Sequence, residues 1–123
     1  MKRVSLADMT VEELVRHFEA TTLAQDEAIL DDDNAKFTQL FHHMEDVKEE
    51  LKSRAGDQRR ALMALYAHPN AQVRLKAAKA TLAVAPEEAR KLIETIARSH
   101  EQPQAGEAGM SLWALDEGIF KPT

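Results

Sequence analysis

Apolar and polar positions alternate at helical spacing along nearly the whole chain. Leu14, Val15, Phe18 and Ile29 share one face, with Leu23 and Leu30 off that stripe. Thr10 and Glu13 form a capping box that satisfies two free backbone donors, so the first helix starts at Thr10 and runs to about Asp31. The run Asp31-Asp32-Asp33-Asn34 breaks it, because short polar side chains compete for backbone hydrogen bonds. Asp32 or Asp33 then caps a second helix. Phe37, Leu40, Phe41, Met44, Val47 and Leu51 form its continuous stripe, and it ends near Arg54 with Gly56 as a left-handed terminator.

Asp57 caps a third helix carrying Leu62, Leu65 and Tyr66, and Pro69 ends it. The fourth runs from about Asn70 to Val84 and is apolar on two sides: Val73, Ala77, Ala80 and Val84 on one, Leu75, Ala78 and Leu82 on the other. Gln72, Lys76 and Lys79 are its only plainly polar strip. A helix of this kind packs between neighbours and is expected to be central. Pro86 opens the fifth helix, where a missing N–H costs nothing, with Glu87 and Glu88 in its first turn. Ala89, Leu92, Ile93 and Ile96 are its buried face. Residues 99–106 read as a loop. A last helix covers about Glu107 to Glu117 with Ala108, Leu112 and Leu115 inward, and Gly118 with Ile119 reads as a Schellman cap.

These elements predict an all-α fold. About six helices form three antiparallel hairpins: 10–31 with 33–54, 57–67 with 70–84, and 86–99 with 107–117. The expectation is one domain, 1–123, shaped as a short superhelix of the HEAT/armadillo kind. No clean internal repeat is visible, so an irregular helical bundle is the other arrangement.

Composition fits this picture. Aromatic residues are 5% and hydrophobic residues 44% of 123, so the core must be aliphatic and alanine-rich. Four Gly and four Pro are too few for an all-β design. With no Cys there is no disulfide, thiolate metal site or Cys nucleophile. The stretch from Met1 to Thr10 lacks the apolar run of a leader, and no segment approaches a membrane span, so a cytoplasmic protein without membrane contact is expected.

Net charge is −5, unevenly placed. Residues 1–57 carry seven basic against fourteen acidic side chains, 58–98 eight against three, and 99–123 one against four. The ordinary reading is solvated helix faces. The sharper one is a bipolar surface that steers a charged partner.

The segment Pro69-Asn-Ala-Gln-Val-Arg-Leu-Lys-Ala-Ala-Lys-Ala-Thr-Leu82 has small residues where a neighbouring helix must come close, as in stacked helical hairpins. Together with Ala105-Gly-Glu-Ala-Gly-Met-Ser-Leu-Trp-Ala-Leu-Asp-Glu-Gly118 it resembles a small bacterial family of unknown function with an armadillo/HEAT-like helical fold. The resemblance covers the second half of the chain. It implies a bacterial helical-repeat protein and supplies no catalytic residues.

Candidate chemistry is sparse. Glu13 with His17 stands at i, i+4; His42 with Glu45 and His43 with Asp46 stand at i, i+3. Such pairs can share a metal, but His42 lies far from the apolar stripe and His43 at its flank. The other helices offer no matching Glu-x-x-His pair. These histidines read as surface residues, and no metal or cofactor is implied. The acidic run 31–34 lacks the Gly of an EF-hand calcium loop. No serine sits in a nucleophile elbow, and Gly106-x-x-Gly109 lacks the Lys and strand of a phosphate loop. The chain therefore reads as no enzyme.

Two binding readings remain. A non-catalytic module that binds another protein is the default for stacked helices, with Trp113, Phe120 and Met110 as anchors. Trp113 as a plain cover over the end of the core is favoured over its anchor role. A homodimer is a further outlet for a hydrophobic end, and an immunity- or antitoxin-type partner suits a small acidic protein without resting on a motif. The alternative is a nucleic-acid-associated protein using the basic 58–98 segment, including Arg59, Arg60, Arg74, Lys76, Lys79, Arg90, Lys91 and Arg98. Overall acidity and the lack of stacking aromatics beyond Tyr66 disfavour it.

Overall fold

The structure, a computed structural model, describes residues 5–123; Met1 to Val4, the start of the stretch read for a leader, lie outside the described residues. Five α-helices occur in it: α1 (Val11–Leu30), α2 (Asn34–Ser53), α3 (Ala71–Ala80), α4 (Pro86–Ala97) and α5 (Gln104–Asp116). Two 3-10 helices, Leu6–Asp8 and Gln58–Leu65, complete the regular elements, and the described residues contain no strand. The all-α expectation holds. The chain groups into two compact units, Met1–Ala61 and Leu62–Thr123.

In the first unit, α1 and α2 pack as a hairpin. The capping box forms as predicted: Thr10 N donates to Glu13 Oε1 at 2.9 Å and Glu13 N to Thr10 Oγ1 at 3.1 Å. In the acidic turn the two candidate roles divide. Asp33 accepts from Lys36 N at 3.1 Å, while Asp32 takes the left-handed conformation, φ 54°. The buried face of α1 is Leu14, Phe18, Thr21, Thr22, Gln25 and Ala28, whereas Val15 and Ile29 of the predicted stripe are half-buried. The face keeps helical spacing, but polar residues occupy its middle. Thr22 and Gln25 are tolerated because they are bonded: Thr22 Oγ1 donates to the carbonyls of Phe18 and Glu19, and Gln25 Nε2 to Met44 Sδ. On α2, Met44, Val47 and Leu51 are buried, while Phe41 of the predicted stripe is exposed. Arg54 closes the open end of the hairpin. Its Nη2 donates to the carbonyls of Leu6 and Met9 at 3.1 and 2.8 Å, and its Nε to Glu50 at 2.7 Å.

The predicted third helix is a 3-10 helix. Gly56 (φ 76°) and Asp57 (φ 51°) are consecutive left-handed residues, and Arg59, Leu62 and Leu65 beyond them are all buried. That spacing of three is the eclipsed face of a 3-10 turn. The same residues also suit an α-helix, so the pattern alone does not separate the two. Asp57 still binds the start of the element, accepting from Arg59 N at 3.2 Å and from the Arg59 guanidinium.

In the second unit, α3 packs against α4 and α5, and α4 against α5. Leu75, Ala78, Leu82, Ala89, Ile93, Ile96 and Ala108 form the core, with Tyr66, Leu92, Leu112 and Leu115 packed around it. Ala78 of α3, Ala89 of α4 and Ala108 of α5 are small residues fully buried in this core. Asn70 caps α3, accepting from Gln72 N and Val73 N. The helix stops at Ala80, short of the predicted Val84, where the Thr81 hydroxyl donates back to the carbonyls of Ala77 and Ala78 and also bonds Tyr66 Oη. Helix α4 opens on Pro86 as predicted. The end of α5 is the Schellman arrangement read from Gly118: Ile119 N bonds Ala114 O at 2.9 Å and Gly118 N bonds Leu115 O at 3.2 Å, with Gly118 at φ 69°.

Candidate functional site

Helix α3 carries a polar strip, Gln72, Lys76 and Lys79, that reads from sequence as its solvent face. The structure buries two of the three: Gln72 is 1% and Lys76 7% exposed. The strip is the seam on which α5 lies. Gln104 Nε2 donates to Gln72 Oε1 at 2.9 Å, and one turn on, Lys76 and Lys79 both hold Glu107 Oε2. Gln104 and Glu107 stand three apart on α5, and Gln72 and Lys76 four apart on α3, so the pairs form successive rungs. This seam explains why α5 starts at Gln104, inside the predicted loop. Burial pushes the Glu107 carboxyl upward, but the charges of Lys76 and Lys79 and their hydrogen bonds outweigh it, holding the group below the usual glutamate range.

The outer side of α5 is apolar. Leu82, Met110, Trp113, Ala114 and Phe120 line a groove of about 360 Å³, with Lys79 and Glu107 also contributing. Trp113 is 53% exposed, Met110 65% and Phe120 47%. The Schellman turn sets this geometry: Phe120 N bonds Ala114 O, which folds the tail back along the last turn of α5. Trp113 thus lies along a groove, half in solvent, and does not seal the core as the favoured sequence reading expects. Its position on the outer face of α5 follows from Ala108, Leu112 and Leu115 facing inward.

A second, shallower groove lies in the first unit. Arg16, His17, Ala20, Thr21, Leu40 and His43 line about 310 Å³. Here α1 and α2 bring two half-buried histidines together, His17 Nδ1 to His43 Nε2 at 3.1 Å, with ring centroids 5.3 Å apart. The sequence pairs each of these histidines with a carboxylate on its own helix; the structure pairs them with each other, across 26 positions. Among the described residues no group of three or more His, Cys, Asp or Glu could hold a metal.

Of the residues singled out from sequence, Met110, Trp113 and Phe120 converge on one groove. Arg74, Lys76 and Lys79 do not form an open basic face. Arg74 makes a two-pronged bond to Glu101, 2.8 and 2.9 Å, and Lys76 and Lys79 close on Glu107. Arg59 is held by Asp57, and Arg90 by Glu94 and Asp116. The basic excess of 58–98 is therefore largely paired with acids that lie outside it in sequence.

Comparison with known proteins places the chain. Residues 12–116 match the model of DUF2019, described as a domain of unknown function, and the chain belongs to that family. A solved structure described as the crystal structure of the protein RPA1889 from Rhodopseudomonas palustris CGA009 is 50% identical. The match has a TM-score of 0.94 and covers 98% of this chain and 100% of that one. No curated protein matches. Among the described residues, no helix is long and apolar enough to cross a membrane.

Proposed function

We propose that this member of the DUF2019 family is a non-catalytic module that binds another protein through the groove on α5. The convergence of Met110, Trp113 and Phe120, each about half exposed or more, carries the reading. Trp and Met are enriched at interfaces, and a half-exposed Trp in an apolar groove has the form of a binding hot spot. A mostly apolar groove beside a helix suits an amphipathic segment of the partner, which would lay apolar side chains at helical spacing along it. Lys79 shares the Glu107 carboxylate with Lys76 and the other lining is mostly apolar, so affinity would come mainly from apolar contact. Nucleic acid ranks below this reading, because Arg74, Lys76 and Lys79 already hold carboxylates.

The test is capture of a partner from host lysate by the tag-immobilised chain, with Trp113→Ser and Phe120→Ser beside the parent and nuclease in half of the samples. One protein captured by the parent in both samples and lost in both folded variants supports the reading. Capture unchanged in both variants refutes the groove. Capture that nuclease abolishes moves the function to nucleic acid. A parent that sediments as a dimer, and becomes monomeric in both variants, makes a second copy of the chain the occupant.

A further inference from the structure

We propose that His17 and His43 form a bis-imidazole site for a divalent transition metal, bridging α1 and α2. The facing atoms, His17 Nδ1 and His43 Nε2, are 3.1 Å apart. Two imidazole nitrogens on one tetrahedral zinc, each about 2.0–2.1 Å from it, are roughly 3.3–3.4 Å apart. The same geometry puts the two ring centroids about 5.2 Å apart, and they stand at 5.3 Å. The helices therefore need not move. A small tilt of each ring turns nitrogens that face along a hydrogen bond into nitrogens that converge on one ion.

The protons balance within the pair. In the neutral pair one facing nitrogen carries the shared hydrogen. Metal binding needs both lone pairs, so that hydrogen passes to the other nitrogen of its own ring, a tautomer change without net release. The groove beside the pair, walled by the small Ala20 and by Thr21, gives room for water on the remaining coordination positions. No third His, Cys, Asp or Glu among the described residues joins the pair. The site is thus weaker than a structural zinc centre, and its ion exchanges. Imidazole favours zinc, nickel or copper over magnesium or calcium. Arg16 in the same groove opposes a bare cation and favours an anionic co-ligand such as chloride.

The probe is zinc chloride added to tag-free protein, read by calorimetry and by the unfolding midpoint. The expected result is one equivalent bound and a raised midpoint, with affinity falling at least about ten-fold in His17→Gln and in His43→Gln. His42→Gln, an exposed neighbour on α2, is expected to bind as the parent does. Binding that survives both His17→Gln and His43→Gln, or no midpoint shift in excess zinc, overturns the site. Should either variant fail to fold, imidazole nitrogen spectra of the parent decide. Paired shifts of His17 and His43 on adding zinc support the site; their absence overturns it.

Discussion

Replacing Glu107 with Gln tests the seam between α3 and α5. The Glu107 carboxylate compensates Lys76, whose side chain is 8% exposed, and also Lys79, at 34%. Removing one partner of a buried pair costs about 3–5 kcal/mol, because the other charge stays buried and uncompensated. The Glu107 side chain is itself 33% exposed and its amide replacement keeps one acceptor, so the expected loss is smaller, about 2–3 kcal/mol. At roughly 3–5 °C per kcal/mol for a chain of this size, the midpoint should fall by about 6–15 °C. Trp113, the chain's only Trp, lies in the same unit, so its fluorescence reports that unit's unfolding. The carboxyl is held below its ordinary value in the folded state. Its contribution is therefore fully present above the unfolded value, lost as pH falls through the lower folded value, and absent below both. The gap between parent and variant should be constant near neutrality and close in the acid range below about pH 4.5. Adding Lys76→Met to Glu107→Gln should recover much of the loss, since the buried lysine of the seam is then gone. Equal midpoints at neutral pH, or a gap that stays constant down to pH 3, would refute the reasoning.

Three further outcomes are expected. Gln72→Leu leaves Gln104 Nε2 without its acceptor in a buried seam and should cost about 1–3 kcal/mol in urea unfolding. Arg54→Ala removes the donor to Leu6 and Met9 carbonyls and should raise amide exchange around Leu6–Asp8 while leaving exchange in α5 unchanged. Gly118→Ala meets no neighbouring atom but must hold φ 69°, so it should cost about 1 kcal/mol from backbone strain alone.

The capping signals were legible because each acts within three or four residues. Thr10 with Glu13, Pro86 and the Gly118 turn stand where the pattern puts them, and of the two candidates Asp32 and Asp33 it is Asp33 that caps α2. The apolar face of α4 was legible for the same reason: its buried residues Ala89, Ile93 and Ile96 keep an unbroken spacing. On α1 the buried face was only partly legible, since Thr21, Thr22 and Gln25 interrupt it, and a sequence does not display the bonds that hold Thr22 and Gln25.

Sequence by itself determined an aliphatic, all-helical chain with its breaks and caps, because local hydrogen bonds and hydrophobic spacing specify each of these. Tertiary structure alone decided how the helices are rotated against one another. That rotation turns the polar strip of α3 into a buried seam, pairs the basic segment with Glu101 and Glu107, and leaves Trp113 along a groove. It also brings His17 within hydrogen-bond reach of His43. A charge or an imidazole carries no local mark of its distant partner. Its role is fixed only when packing of the apolar faces brings the two elements together.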